Sequence, residues 1–191
     1  MLGFNYMAWL GLLVWVVVPL FAVLVTALLW RRAGSGPRKA LALVVGFTIL
    51  SAPTLVSNGV KAYYDRQVRE MCAKDGGVRV YETVRLSAEK FNQWGQPNFQ
   101  IPIIPYTKLK DIDKYYLEWQ IIYLRQGSPS LWRSHHRLIR RSDHKLLGEN
   151  IMYARSGGDL PGPWHGSSLK CPEPSQPPYL ESSVFIKGDK Q

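Results

Sequence analysis

Four histidines are the residues of this chain most typical of metal-dependent chemistry. His135 and His136 are adjacent on a predicted strand and therefore point to opposite faces, so only one of them can join a shared metal centre. His144 lies in the next predicted turn, and His165 lies in a segment rich in Gly and Pro. Because no His-x-x-x-His or Cys-x-x-Cys spacing is present, a zinc site would need distant segments to converge. We expect no metal site and no bound cofactor.

A nucleophilic triad can be written only from one short loop, as Ser167, His165 and Asp159. Three residues of one loop rarely take triad geometry, and the chain has no Gly-x-Ser-x-Gly elbow. The pairs Gly76-Gly77 and Gly157-Gly158 lack the Lys and the Ser or Thr of a phosphate loop, so they predict turns. The sequence therefore predicts a protein that is not an enzyme.

Cys72 and Cys171 are the two cysteines of the chain, and they bracket most of the region that follows the apolar runs. In an oxidising compartment such a pair predicts a disulfide, which would close a loop of about 100 residues and stabilise by up to about 4 to 5 kcal/mol. In a cytosolic domain the same residues would be two unrelated thiols. We favour the disulfide, and with it an oxidising location.

Positive side chains concentrate on two predicted strands and the turn between them, and we call this set the basic patch. Its members are Arg133, His135, Arg137, Arg140, Arg141 and Lys145. Strand alternation predicts that Arg133, His135 and Arg137 share one face with Arg141. Such a patch could bind lipid phosphates, an acidic protein or a glycan, and the alternative is a solvated sheet face with ordinary arginine enrichment. We do not expect nucleic acid as a partner of an exterior domain.

Two uncharged apolar runs, residues 7–30 and 40–57, precede the candidate residues and predict where these residues lie relative to a membrane. The first run makes a helix of about 36 Å, enough to cross a hydrocarbon core of about 30 Å. The second makes about 26 Å and needs its flanks or a thinner bilayer to span. Ala42 and Gly46 lie four apart and would let the first helix approach closely. Residues 1–57 are thus predicted to form a transmembrane helical hairpin, retained because no signal-cleavage pattern follows the first run.

The connection 31–39 between the runs predicts the orientation of the hairpin. It carries four basic residues and no acidic one: Arg31, Arg32, Arg38 and Lys39. Basic loops stay cytoplasmic, so both termini are expected outside. Basic residues also follow the second run, where they are mixed with acidic ones, so charge alone does not decide the orientation. The predicted disulfide provides a second argument. Together they predict that the C-terminal region lies in a periplasm or an equivalent exterior space.

Residues 58–191 are long enough for one soluble α+β domain with its own core. Residues 60–72 predict a helix that continues the second run, and residues 78–86 and 179–187 each predict a strand. An antiparallel meander is predicted from three strands separated by turn residues, at 115–125, 131–140 and 145–155. Both faces of the first of these strands are apolar, which predicts a central or covered strand. The predicted fold class is a membrane α-helical hairpin followed by a mainly antiparallel β-meander domain with one or two helices.

Three segments of this domain, residues 72–84, 142–149 and 157–162, resemble a family of small bacterial membrane-anchored proteins of unknown function. The resemblance covers most of the soluble region. It implies a bacterial source, and hence an inner-membrane location for the hairpin. It implies nothing about mechanism.

These expectations lead to two functional hypotheses. The first is a non-enzymatic inner-membrane protein with both termini in the periplasm, whose soluble domain binds a partner as an accessory or structural component of a multi-protein assembly of the secretion or conjugation kind. Its partners would be the lipid bilayer, other envelope proteins and further copies of the chain. The second is a sensor or effector whose β-rich domain binds a ligand while the two helices transmit the signal or oligomerise. An oxidised exterior domain favours the first hypothesis, and a cytosolic domain with free thiols favours an intracellular sensor.

Overall fold

The computed structural model describes residues 11, 13–105, 107–162, 166–173 and 179–188 of the chain. The chain divides into two compact units. Unit 1 comprises Met1–Tyr64 and Gly157–Ser167, and unit 2 comprises Asp65–Ser156 and Ser168–Gln191. Each unit is therefore assembled from two separate segments, because the chain contributes residues 157–167 to unit 1 before it returns to unit 2.

Two long apolar helices form most of unit 1. After a π-helical turn at Leu13–Val17, helix α1 covers Val18–Arg32, and helix α2 covers Gly36–Asp75 and continues into unit 2. Helix α1 together with the π-helical turn, over Val14–Arg32, is long and apolar enough to cross a membrane, and so is α2. Most of their large apolar side chains are exposed, and a helix that is apolar on all sides is typical of a membrane span. The predicted pair of apolar helices is confirmed, and it indicates association with a membrane.

The bounds of the hairpin differ from the sequence prediction. The connection between the helices is residues 33–35 rather than 31–39, because helix-forming arginines and lysine extend both helices. Arg31 and Arg32 therefore lie in the last turn of α1, and Arg38 and Lys39 lie in the first turns of α2. The Lys39 ammonium lies 5.4 Å from the centre of the Trp30 ring. Residues 7–10 and 12 of the first predicted run are outside the described residues.

Small residues let α1 and α2 approach closely. Ala22 and Ala42 are buried, and a Cβ atom added to Gly46 would lie 1.9 Å from Thr26 Oγ1. The Thr26 hydroxyl occupies this space and donates a hydrogen bond of 2.7 Å to the Ala22 carbonyl. A larger residue at Gly46 would displace Thr26, so this position is reserved for the close helix contact.

Residues 157–161 contact the π-helical turn and α2 of unit 1 through polar groups. The Trp15 indole N–H donates to the Pro161 carbonyl at 2.7 Å, and the Ser57 hydroxyl donates to the Gly158 carbonyl at 2.8 Å. Lys61 forms an ion pair of 2.8 Å with Asp159. The hydrogen bond from Lys61 lowers the pKa of Asp159 to about 2, against the opposing effect of partial burial. The segment is thus held on the hairpin at three separate points.

A six-stranded sheet forms the body of unit 2, in the order β1-β6-β5-β4-β3 with β7 also paired to β6. A second sheet contains the parallel pair β2 and β8. The strands are β1 Gly77–Val80, β2 Val84–Leu86, β3 Ile103–Ile104, β4 Tyr115–Arg125, β5 Ser130–Arg140, β6 Lys145–Ser156, β7 Ser168–Cys171 and β8 Phe185–Lys187. The antiparallel meander of β4, β5 and β6 confirms the predicted β-rich domain.

The two faces of the sheet are covered by different helices. On one face, Leu117, Leu138 and Leu147 pack with three residues of the C-terminal segment, which includes helix α3 at Leu180–Val184: Leu180, Val184 and Phe185. On the other face lie the last turns of α2, which reach the sheet through the disulfide from Cys72 to Cys171 and through polar contacts from Asp65 and Asp75. The disulfide agrees with the prediction from the two cysteines.

Three segments near the ends of the predicted strands form differently from expectation. The predicted strand 78–86 is broken at Tyr81 and Glu82, whose N–H groups both donate to the Leu147 carbonyl, so β1 and β2 enter different sheets. The predicted strand 179–187 begins as α3, because the Tyr179 carbonyl accepts from the backbone and hydroxyl groups of the serines that follow. Strand β7 was not predicted, since four residues are too few to show alternation.

Candidate functional site

The basic patch is compensated by acidic side chains. Each of its six members has a carboxylate within 4.0 Å, and the pairs are Arg133–Asp75, His135–Glu149, Arg137–Glu118, Arg140–Glu82, Arg140–Asp143, Arg141–Asp111 and Lys145–Glu82. These contacts offset most of the positive charge that the sequence shows on β5 and its turn. Binding of an anionic partner by this patch stays a prediction, and such a partner would compete with the internal carboxylates.

Glu149 is the centre of the most buried part of this network. Its carboxylate accepts from the Tyr81 hydroxyl at 2.6 Å and contacts His135 Nε2 at 2.7 Å. Arg79 lies 3.6 Å away. Burial raises the pKa of Glu149, but the hydrogen bonds from Tyr81 and His135 outweigh burial and leave the pKa below its usual value. The network ties the outer strand β1 to the centre of the sheet.

On the opposite face, Ser134 and His136 form a pair that sequence reasoning did not single out. Ser134 Oγ lies 3.2 Å from His136 Nε2 and accepts a hydrogen bond of 2.7 Å from the Trp119 indole. Burial lowers the pKa of His136, and the charge of Glu181 acts in the other direction. A serine beside a neutral histidine has the composition of a nucleophile and its base. However, Ser134 is only 1% exposed, so a substrate has no access to its hydroxyl.

The other predicted candidates are separated or engaged elsewhere. Across the described ranges, no group of three or more His, Cys, Asp or Glu residues could hold a metal ion. His144 lies in the turn after β5 with its Nδ1 3.4 Å from the Tyr116 hydroxyl, and His165 is outside the described residues. Asp159 and Ser167 do meet, because the Ser167 hydroxyl donates directly to the Asp159 carboxylate at 3.0 Å.

A groove of about 710 Å³ on unit 2 is the strongest candidate for a binding site, and we call it the lysine groove. Three segments line it: the end of β2 with the following 3-10 turn, the chain before β3, and residues 107–115 before and at the start of β4. Its apolar lining includes Leu86, Phe99, Ile101, Ile103, Ile112 and Tyr115. Its polar lining includes four lysines, Lys90, Lys108, Lys110 and Lys114.

The floor of the lysine groove is fixed by aromatic packing against the core. Phe99 and Tyr115 each contact Phe185, with ring centres 5.3 Å and 4.9 Å apart. The Leu117 N–H donates to the Pro102 carbonyl at 2.9 Å and holds the chain before β3 along the sheet. The Lys110 carbonyl accepts a hydrogen bond from Arg141, which fixes the segment on the other side. The groove therefore has an apolar floor packed on the core although little of its lining is in regular strands.

The lysines of the groove differ from the basic patch in their charge balance. Within the part of the chain that the structure describes, none of Lys90, Lys108, Lys110 and Lys114 forms an ion pair. Asp113 also lines the groove, and its carboxylate accepts the Lys110 backbone N–H at 2.7 Å. The groove thus combines an apolar floor with uncompensated positive charge, which suits a ligand that is anionic and partly apolar.

Sequence reasoning missed this groove for an identifiable reason. The Gly, Pro and Gln content of residues 92–105 predicts irregular structure, and the basic patch lies on strands β5 and β6 and the turn between them. The available signal was three lysines at 108, 110 and 114 close behind the isoleucines at 101, 103 and 104. The decisive property, that these lysines form no ion pair among the described residues, depends on contacts between distant residues. Comparison of the chain with protein-family models, curated proteins and solved structures found no match.

Proposed function

We propose that this protein is a non-enzymatic, inner-membrane-anchored binding protein of the bacterial envelope. Unit 2 would hold an acidic, partly apolar segment of a partner protein in the lysine groove, as an accessory or structural component of a multi-protein assembly of the secretion or conjugation kind. The supporting observation is that four lysines, which form no ion pair within the described ranges, surround an apolar floor, whereas the other basic cluster of unit 2 is neutralised internally.

The anchor and the exterior location are supported by two features. The apolar helices carry Arg31, Arg32, Arg38 and Lys39 at their connected ends, which favours a cytoplasmic connection and periplasmic termini. The disulfide between Cys72 and Cys171 requires an oxidising compartment to form and persist. The two features favour the same side of the membrane for unit 2, and the resemblance to bacterial membrane-anchored proteins favours the periplasm as that side.

The apolar floor and the lysines of the groove would contribute differently to affinity and to selectivity. Each 100 Å² of apolar ligand surface removed from water contributes about 2.5 kcal/mol, whereas one exposed lysine–carboxylate pair contributes about 0 to 1 kcal/mol. The apolar floor would therefore set most of the affinity. The lysines would set the sign of charge that is accepted and make binding weaken as salt rises.

A second candidate function is favoured by the size of the groove. Its volume of about 710 Å³ lies within the range of about 300 to 1,000 Å³ that is typical of small-molecule sites. In this alternative, the protein is a membrane-anchored sensor or effector whose β-rich unit binds a small anionic amphiphile. The two helices would then transmit the signal or assemble within the bilayer.

Charge reversal at the groove tests the first candidate. A photo-crosslinking residue at Ile112, which lines the groove and is 82% exposed, should capture one defined envelope protein in native membranes. The double variant K108E/K110E should reduce this capture by about tenfold, because two attractions become repulsions. The matched control K74E/K170E changes the net charge equally at exposed lysines outside the groove and should leave capture unchanged.

Two outcomes would contradict the first candidate. Equal capture by K108E/K110E and K74E/K170E would show that the groove charge does not select the partner. The second outcome is that no protein is captured and that 1-naphthyl phosphate binds instead. Calorimetry on protein in lipid nanodiscs would then show saturable one-to-one binding that is lost in K108E/K110E. This result would establish the small-ligand candidate.

Topology is tested by reporters fused after Gln191. Alkaline phosphatase at this position should be active and green fluorescent protein should be dark, because the first needs an oxidising exterior and the second does not fluoresce when exported unfolded. Enzyme activity and fluorescence per unit of fusion protein are the measurements. A fluorescent and phosphatase-inactive pair would place unit 2 in the cytoplasm and would favour an intracellular sensor.

A further inference from the structure

Strand β4 has an exposed edge along its second half. Strand β3 pairs only with Leu117 and Glu118 of β4, and β5 runs along the other side of the whole strand. Beyond Glu118, the described part of the chain places no strand on this side. Four consecutive apolar side chains are exposed there, with fractions of 38, 40, 58 and 49% for Ile121, Ile122, Tyr123 and Leu124. The sequence predicts a central or covered strand; β4 is central where it pairs with both β3 and β5, at Leu117 and Glu118, and its side chains at 121–124 are exposed.

The backbone of this edge is oriented for strand pairing. The Leu117 N–H donates to Pro102, on the side away from β5. Because backbone direction alternates along a strand, Ile121 and Tyr123 also direct their N–H and C=O groups away from β5. These two residues thus offer two donors and two acceptors in strand geometry.

Between positions 119 and 124 the edge lacks charged side chains and Pro, two of the features that usually prevent pairing, and a β-bulge lies only at its end, between Tyr123 and Arg125. Natural sheets protect exposed edges with charged side chains, Pro or bulges. Residues 119–124 read Trp-Gln-Ile-Ile-Tyr-Leu and contain no Lys, Arg, Asp, Glu, Pro or Gly. An apolar strand edge of this kind favours addition of another strand.

We propose that this edge pairs with the same edge of a second copy of the chain, antiparallel about a twofold axis at Ile122. In this register, Ile121 faces Tyr123 of the second copy, and Tyr123 faces Ile121. These two pairs exchange four backbone hydrogen bonds, and each matches an aromatic with a β-branched side chain, a favourable cross-strand combination.

The choice of a second copy rests on this self-complementarity. Ile122 faces Ile122 on the axis, Gln120 faces Leu124, and no two charged side chains oppose each other between positions 119 and 125. A twofold arrangement closes after two copies and leaves neither of the joined edges open. Copies anchored in one membrane also meet at a high effective concentration. The paired residues do not line the lysine groove, so this inference is independent of the proposed function.

Single cysteines test the register in full-length protein in native membranes. On the axis, Ile122→Cys would bring two Cα atoms to about 4.5 Å, within the range of a disulfide. The matched control Gln120→Cys lies on the same face of the strand, and its two copies would be about 13 Å apart. We expect mild oxidation to give at least about ten times more disulfide-linked dimer from Ile122→Cys than from Gln120→Cys, on non-reducing gels.

A second measurement does not depend on crosslinking, so chance collisions between copies cannot produce its result. Wild-type protein in nanodiscs sized for two copies should have the mass of a dimer, and Ile122→Glu should be monomeric because two carboxylates would oppose each other on the axis. Equal crosslinking at the two positions, crosslinking to a different protein, or a wild-type monomer would each overturn the proposal.

Discussion

Replacing Cys72 and Cys171 together by alanine is expected to lower the free energy of unfolding of unit 2 by about 4 to 5 kcal/mol. The two residues are 99 positions apart, and their disulfide joins the last turns of α2 to β7. A crosslink over such a distance removes many conformations from the unfolded chain, which is the origin of the expected loss in the chain-entropy model. This is a large fraction of the 5 to 15 kcal/mol that is typical of a whole domain.

Denaturant unfolding followed by circular dichroism measures this loss. If the disulfide acts on the unfolded state, the double variant should also show a steeper dependence on denaturant, because its unfolded chain exposes more surface. Wild-type protein treated with a thiol-free reductant is the control and should match the variant. Peptide mapping without reduction that found both residues as free thiols would contradict the expectation.

Substituting Asp65 by Asn should destabilise unit 2 by about 3 to 5 kcal/mol. The Asp65 carboxylate contacts Arg155 Nε at 2.5 Å, and Arg155 is only 3% exposed. The substitution removes an ion pair from a buried guanidinium, and the cost of losing a pair at a buried charge exceeds the modest value of a surface pair. The effect is expected although the substitution changes few atoms.

A neighbouring ion pair on the same helix provides the control for Asp65. Glu70 pairs with Arg66 at 2.8 Å, but both side chains are exposed, so Glu70→Gln should leave the unfolding midpoint almost unchanged. Replacing both Asp65 and Arg155 by Leu should restore most of the loss, because no buried charge remains. A midpoint for Asp65→Asn equal to that of Glu70→Gln would refute the buried-charge explanation.

Much of the architecture follows from local properties of the chain. The helices α1 and α2 were predictable because length and uniform apolarity are properties of contiguous residues. Strands β4, β5 and β6 were predictable because their alternation and turn residues are also local. The disulfide followed from the presence of two cysteines, which leaves one pairing.

The candidate site was much less accessible from the sequence. Arg140 is neutralised partly by Glu82, which lies 58 positions away along the chain. The same separation problem hides the lysine groove, because Lys90 and Lys114 join one surface only after β3 docks beside β4. Charge content is visible in a sequence, whereas the balance between neighbouring charges requires knowledge of which residues are neighbours.

The sequence by itself determined the two apolar helices, the β-meander and the cysteine pair, since each depends on residue type and short-range order. Only the tertiary structure decided that the basic patch is compensated, that the four lysines of the groove form no ion pair with any described residue, and that the apolar residues at 121–124 form an exposed edge. The apolar pattern of β4 indicates that burial of both faces is favourable. It does not show whether other segments of the chain bury them. The physical reason is that burial and electrostatic compensation are properties of pairs of segments, and the pairing of segments arises only on folding.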